Sequence, residues 1–339
     1  MNDHTTRRQF LALGGAALGS SLASSILIGA DRPVSPHGDV VGEPTAEKVG
    51  LRMLADGGNA MDAIVAAALT AAVAAPHQTG IGGYGMSAIV AFDGGKRIVA
   101  IDGNSTAPAA MSADTFQPAA DGKVPGRVNE TGWLAAGVPG ILAGLQLALD
   151  RFGSRPFREV VQPAIGVARD GFRWPANLAT MLRGNKQFEK DAGSRKLYFP
   201  DGQPLAAGVL FKNPELAELL DTLAKANSVD AFYRGDIAQR IAEAFQKNGG
   251  LVTARDMAAH QARLVAPLTL KWGEQTVHTA PLTAGGLSAL QMLRAMQAMN
   301  WEKMPVGFAR SHARIEAARL AWRDRLTLLG DPDFARVPV

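Results

Sequence analysis

The feature that most constrains this chain is an apolar run, Ala60 to Ala75, interrupted only by Asp62 and Thr70. A helix that is apolar all round must be covered all round. At 1.5 Å per residue the run spans roughly 24 Å, too short to cross a bilayer comfortably, so it predicts a helix inside a layered core. Its start is specified locally. Gly57–Gly58 end a preceding amphipathic helix over 45–56, on which Ala46, Val49, Gly50, Met53 and Leu54 share one face. Asn59 then caps the run, and Asp62 stands three residues on, where a carboxylate favours the positive helix end.

After Pro76 the character changes. Gly80, Gly82, Gly83 and Gly85 form a glycine loop, and Met86–Phe92 and Arg97–Ile101 read as two strands of a hairpin around Asp93–Gly94–Gly95. Gly80 to Gly85 satisfies G-x-G-x-x-G, with Asp102 placed 17 residues beyond it. A dinucleotide site needs a strand before those glycines and a helix after them, so that the pyrophosphate rests on the helix N-terminus. Here a helix enters and a strand leaves, which excludes that reading. The four glycines are instead expected to serve structure, letting backbone pass close to another backbone or to a small ligand.

Helical spacing recurs over 139–150, 157–170, 214–226, 236–246, 288–299 and 309–329, and a second hairpin is expected from Leu268–Trp272 and Gln275–Thr279. Residues 114–128 and 185–203 read as polar loops. The fold class is mixed α/β (α+β), with the Ala60–Ala75 helix expected to pack on a sheet containing Met86–Phe92.

Composition closes several chemistries. The absence of cysteine removes disulfides, thiolate metal sites and a thiol nucleophile. Lys+Arg 35 against Asp+Glu 31, with no basic run longer than two residues, gives no nucleic-acid footprint. The six histidines show no metal-ligand spacing, no cofactor motif is present, and no G-x-S-x-G elbow appears. His77, beside Pro76 at a helix end, reads as a cap or a partly buried residue. At the N-terminus, Arg7–Arg8 precede an apolar segment, Phe10 to Ala30, diluted by Ser and Gly. Residues 1–30 therefore read as a Tat-type signal peptide, or alternatively an uncleaved membrane anchor, before a 31–339 body that is periplasmic or secreted.

An ordered series of segments resembles the large-subunit half of gamma-glutamyltranspeptidases. It runs Gly57–Gly58–Asn59–Ala60–Met61–Asp62–Ala63, then Pro76–His77 through Gly85, Ile101–Asp102 to Ala107–Pro108, and Ala136–Gly137–Val138–Pro139–Gly140. Later pieces are Phe232–Tyr233–Arg234–Gly235, Gly285–Gly286 and Leu329–Gly330–Asp331–Pro332–Asp333–Phe334. The resemblance implies an N-terminal-nucleophile hydrolase, an αββα sandwich cut from one precursor. A threonine opening the small subunit is both nucleophile and, through its α-amine, base. It implies a gamma-glutamyltransferase or glutathione hydrolase-like amidase or acyltransferase. Its own small subunit is the expected partner, a small amide or gamma-glutamyl compound the substrate, and no cofactor or metal is expected. Asn104, Ser105 and Thr106 would line the acyl pocket.

Two departures follow. The family's Thr–Thr–His-type nucleophile segment has no counterpart here, since the only Thr–Thr is Thr5–Thr6. The expectation is a chain truncated before the small subunit, with no catalytic residue of its own and no activity alone. Second, Asn104 stands where the family's gamma-glutamyl enzymes carry a carboxylate-gripping Arg, and Ser105 where an acid is usual. A neutral amide cannot replace that charge. A related amidohydrolase or acylase acting on a non-glutamyl amide is the alternative, unless Arg97 or Arg127 substitutes from nearby. A non-catalytic exported protein holding a solute in its glycine loop is the second alternative.

Overall fold

The computed structural model describes residues 38–338. The chain divides into two units, Met1–Asp39 and Val40–Val339, and the architecture below is that of the second. The signal expected over residues 1–30 lies outside the described residues.

Helices α1 (Pro44–Ala55) and α2 (Ala60–Ala74) open the fold. Asn59 Oδ1 accepts the N–H groups of Met61 and Asp62, and Asp62 Oδ2 accepts that of Asn59, a reciprocal capping box. Asp62 does more than cap. It is fully buried, its Oδ1 accepts Ser154 N at 2.9 Å and Arg155 N at 3.1 Å, and the Ser154 hydroxyl donates to Oδ2. Burial raises this carboxyl's pKa, but the hydrogen bonds from Ser154, Asn59 and Arg155 outweigh it and leave the net value lowered.

Strands β1 (Gly85–Phe92) and β2 (Arg97–Asn104) pair antiparallel from Gly85↔Asn104 to Phe92↔Arg97. β2 thus runs three residues beyond the expected Ile101. Helix α3 (Ile141–Phe152) lies across both strands. Small residues allow the approach: a Cβ on Gly140 would lie 2.1 Å from Gly103 O, and one on Gly144 would meet the Met86 side chain at 2.6 Å.

The single helix expected over 157–170 is two, α4 (Phe157–Val160) and α5 (Gln162–Asp170). Pro163 lacks an N–H and its ring excludes a continuous helical turn before it, so it sits in the first turn of α5. A satellite follows, made of β3 (Phe172–Arg173), α6 (Ala176–Gly184), α7 (Gln187–Lys190), α8 (Ala192–Tyr198) and β4 (Leu210–Phe211) around buried Trp174, Leu178, Leu182 and Phe211. The polar stretch 185–203 therefore carries two short helices rather than a loop, because Tyr198 and Phe199 anchor it in that small core.

Helices α9 (Pro214–Ala226), α10 (Asp230–Arg234), α11 (Asp236–Lys247) and α12 (Ala254–Ala259) lead to β5 (Arg263–Val265). β5 pairs antiparallel with β2, giving the sheet order β1-β2-β5. The hairpin β6 (Leu268–Trp272) and β7 (Gln275–Thr279) forms as expected, followed by α13 (Gly286–Ala298) and α14 (Phe308–Leu328), which pack on each other.

The main core gathers Val65 and Leu69 of α2, Ile101 of β2, Leu142 of α3, Ile165 of α5 and Leu220 of α9, all essentially solvent-free. Met86, Ala88 and Val90, on the inward face of β1, pack against it, while Ser87, Ile89 and Ala91 alternate outward. The α2 run and the sheet share this core, but the helix packs chiefly on other helices rather than directly on β1. The immediate neighbours of α2 are α1, α3, α4 and α5, and a groove of about 690 Å³ is lined by Met61, Ile64, Val65 and Ala68 of α2 and by strand β1. Among the described residues, no helix is long and apolar enough to cross a membrane.

Candidate functional site

The chemistry-bearing residues converge where β2 ends. Its last residues pair on one side with β1, bringing Ser87 opposite Asp102, and on the other with β5, bringing Arg263 opposite Asp102. Asp102 is buried and its bonds are fixed. Oδ1 accepts Asn104 N at 3.2 Å and Asn104 Nδ2 at 2.8 Å, and Oδ2 accepts Arg263 Nη2 at 3.0 Å. Arg263 Nη1 donates to Asp333 Oδ2 at 2.9 Å, so one half-exposed guanidinium bridges a buried and an exposed carboxylate. Its pKa is raised, first by the bond to Asp102.

Beyond β2 the chain continues through Ser105 to Thr106, which makes an isolated bridge to Val138, with Val138 N donating to Thr106 O at 2.9 Å. The Thr106 hydroxyl lies 3.4 Å from His260 Nδ1. His260 is buried, stacks on Tyr233 at 5.7 Å and has no partner for Nε2. Burial lowers its pKa, opposed in part by the charge of Asp102. The Tyr233 hydroxyl, whose pKa burial pushes up to about 12, accepts Ala143 N and donates to Pro139 O, fixing the entrance to α3 against this wall. Asp256 closes another side. It caps α12 through Thr253 and accepts Ala109 N at 2.9 Å, bonds that outweigh the raising effect of burial and lower its pKa.

Of these groups Asp102, Asp256, His260 and Arg263 line a cavity of about 730 Å³, together with Asp331, Asp333 and Phe334. Asn104, Ser105 and Thr106 all line it. The Asn104 amide is held by Asp102 and approaches Ser87 Oγ at 3.3 Å. The cation in the cavity wall is neither of those anticipated: Arg97 lies over the Phe92 ring, 3.8 Å from its centroid, at the far end of β2, and Arg127 is paired with Glu130. Arg263, His260 and Asp256 were not legible as site residues, because their neighbours come from more than 140 positions away. The Thr253-x-x-Asp256 capping box was the one local signal available.

The glycine loop enters from the other side. Gly85, at φ +150°, is pressed against β2, since a Cβ there would lie 2.5 Å from both Asn104 Cα and Gly103 O. Gly83 would meet Gly80 O at 3.0 Å, whereas Gly80 and Gly82 face open space. His77 is half-buried with an unpartnered Nδ1, and burial lowers its pKa. Among the described residues, no group of His, Cys, Asp and Glu is arranged to hold a metal ion.

The family model for gamma-glutamyltranspeptidase matches residues 46–339. The chain is 37% identical over 302 residues to the glutathione hydrolase proenzyme of Escherichia coli strain K12, covering 87% of this chain and 51% of that protein. It is 34% identical over 308 residues to the acylase ACY 1 proenzyme of Pseudomonas sp. strain SE83, covering 88% of this chain and 55% of that one. The crystal structure of Helicobacter pylori gamma-glutamyltranspeptidase superposes with a TM-score of 0.83 at 30% identity, over 91% of this chain and 88% of that chain. The chain spans about half the length of the curated relatives it matches. Its mixed α/β fold is that of the family's N-terminal-nucleophile hydrolases. The helix–glycine loop–strand order, the Asp102 wall and these matches agree: the chain belongs to the gamma-glutamyltranspeptidase family.

Proposed function

We propose that this chain is the large-subunit part of an exported amidase or acyltransferase of the gamma-glutamyltransferase and glutathione hydrolase type, active with its own small subunit after precursor cleavage. The observation that carries the reading is the cavity at the end of β2, into which Asn104, Ser105 and Thr106 bring an amide and two hydroxyl side chains. These three would bind the acyl group, and the threonine nucleophile and its α-amine base would come from the small subunit. The isolated 339-residue chain is then inert. The twin-arginine N-terminus supports export to the periplasm or beyond.

A specific observation favours a non-glutamyl amide as substrate. A glutamyl α-carboxylate needs a cation, and Arg263, the cation in the wall of this cavity, already bridges Asp102 and Asp333, while Asn104 is neutral and engaged by Asp102. The similarity to an acylase proenzyme points the same way. The test compares a gamma-glutamyl anilide, glutathione and a simple acyl amide with the complete precursor product, in wild type and Asn104→Arg. Expected are poor glutathione hydrolysis and better gamma-glutamyl turnover in the variant. Efficient wild-type glutathione hydrolysis refutes the specificity argument, and turnover by the isolated chain refutes the assignment of the nucleophile.

A further inference from the structure

The glycine loop borders a second cavity, of about 430 Å³, lined by His77, Thr79, Gly80, Gly82, Tyr84 and Ile141 among others. The two cavities adjoin at one seam, where the Gly85 backbone abuts that of Asn104. Their electrostatics differ. Asp102, Asp256, Asp331 and Asp333 line the first against one arginine, whereas no carboxylate, lysine or arginine lines the second, whose one basic side chain is His77.

The second cavity is rich in donors. Within the loop the N–H groups of Gln78 and Thr79 bond to Ala75 O, and that of Gly83 bonds to Gly80 O. Among the described residues the N–H groups of Gly80, Ile81, Gly82 and Tyr84 have no acceptor in the chain. A Cβ at Gly80 or Gly82 would meet nothing within 4 Å, so the backbone there is open to a ligand. Thr79 adds a hydroxyl. Tyr84, 89% exposed, stands unpacked on a loop braced at both neighbours, with Gly83 against Gly80 O and Gly85 against β2.

We infer that the glycine-loop cavity binds a small aliphatic carboxylate, whose oxygens accept the N–H groups of Gly80 and Gly82 while its hydrocarbon lies between Ile141 and the Tyr84 ring. The chemistry selects that class. Unpartnered backbone N–H groups need an acceptor, and a carboxylate is acceptor-only, so it satisfies them without needing a donor site in return. An ammonium ligand finds no carboxylate in this lining. The inference goes beyond the proposed function and does not depend on acyl transfer.

The experiment titrates the 339-residue chain, labelled with [15N]glycine, with sodium propionate at constant ionic strength. Sodium chloride and propylamine hydrochloride serve as controls. Saturable movement of the Gly80 and Gly82 amide resonances with propionate alone is expected, with Gly137, packed against Ser105 and Thr106 of the Asp102 cavity, unmoved. Gly82→Leu fills open space and should weaken binding at least about tenfold, the equivalent of one charge-assisted hydrogen bond. Tyr84→Ala, at a position that packs against nothing, should weaken it by a smaller factor. Linear shifts, equal shifts with chloride or propylamine, or undiminished affinity in both variants overturns the inference.

Discussion

Replacing Gly140 by alanine isolates one steric contact at the site. Gly140 precedes α3 at φ −106° and ψ −17°, a conformation any residue adopts, so alanine adds no backbone strain. It does add a Cβ 2.1 Å from Gly103 O and 2.7 Å from Asn104 O, where real Cβ contacts stay above 3.0 Å. Either α3 withdraws from β2 by about 0.9 Å or the end of β2 bends, since neither neighbour is a flexible side chain. Overpacking typically costs about 1–3 kcal/mol, and a backbone-on-backbone clash belongs near 3 kcal/mol. Gly166 in α5 is the control, because a Cβ there meets nothing and alanine gains about 1 kcal/mol of helix propensity. At roughly 1.5 °C per kcal/mol for a chain of this size, Gly140→Ala should lower the thermal midpoint by about 4–5 °C and Gly166→Ala raise it by about 1.5 °C. Circular dichroism melting measures both. Amide resonances of Asn104 and Ser105 should shift in Gly140→Ala alone. Equal midpoints in the two variants, or unmoved Asn104 and Ser105 resonances, would refute the argument that glycine here sets the spacing of helix and sheet.

Asp62→Ala removes the acceptor of three backbone N–H groups and one hydroxyl, and should cost about 3–5 kcal/mol in urea unfolding at pH 7. Because the folded-state pKa of Asp62 is lowered, its contribution is present above the unfolded carboxyl pKa and is lost as pH falls through the folded one; Asp62→Asn should flatten that acid limb of stability. His260 also has a lowered folded-state pKa, so its burial costs nothing well above pH 6.5 and penalises folding as pH falls below that; His260→Phe should keep the stack on Tyr233 and reduce the slope of stability between about pH 7 and 5. Arg263→Met leaves the buried Asp102 without its cation and should cost about 1–2 kcal/mol, largely recovered in the Arg263→Met, Asp102→Asn double variant; an additive double-mutant cycle would show the pair to be uncoupled. Tyr233→Phe should cost about 1–3 kcal/mol by orphaning Ala143 N and Pro139 O, measured by the same unfolding assay.

The sequence by itself determined the elements whose causes are local. The Ala60–Ala75 run, its Asn59–Asp62 cap, the two hairpins and the reversal of helix and strand around the glycines all follow from residues a few positions apart, and each stands in the structure. Breaks set by one residue in a periodic run were harder to read, as at Pro163, and so were short helices held by a distant aromatic cluster, as over 187–198. The candidate cavity was only half legible. Asn104, Ser105 and Thr106 lie on one strand and its extension, so a single stretch of sequence presents them together. Their counterparts were decided by the tertiary structure alone: Arg263 faces Asp102 across 161 positions, His260 reaches Thr106 across 154, and Asp256 holds Ala109 across 147. The physical reason is register. Pairing β5 one residue out of step with β2 would turn Arg263 to the opposite face and leave Asp102 buried without its cation. No local pattern encodes that alignment; α3 packs across β2, and Asp256 of α12 holds Ala109 in the segment that follows it.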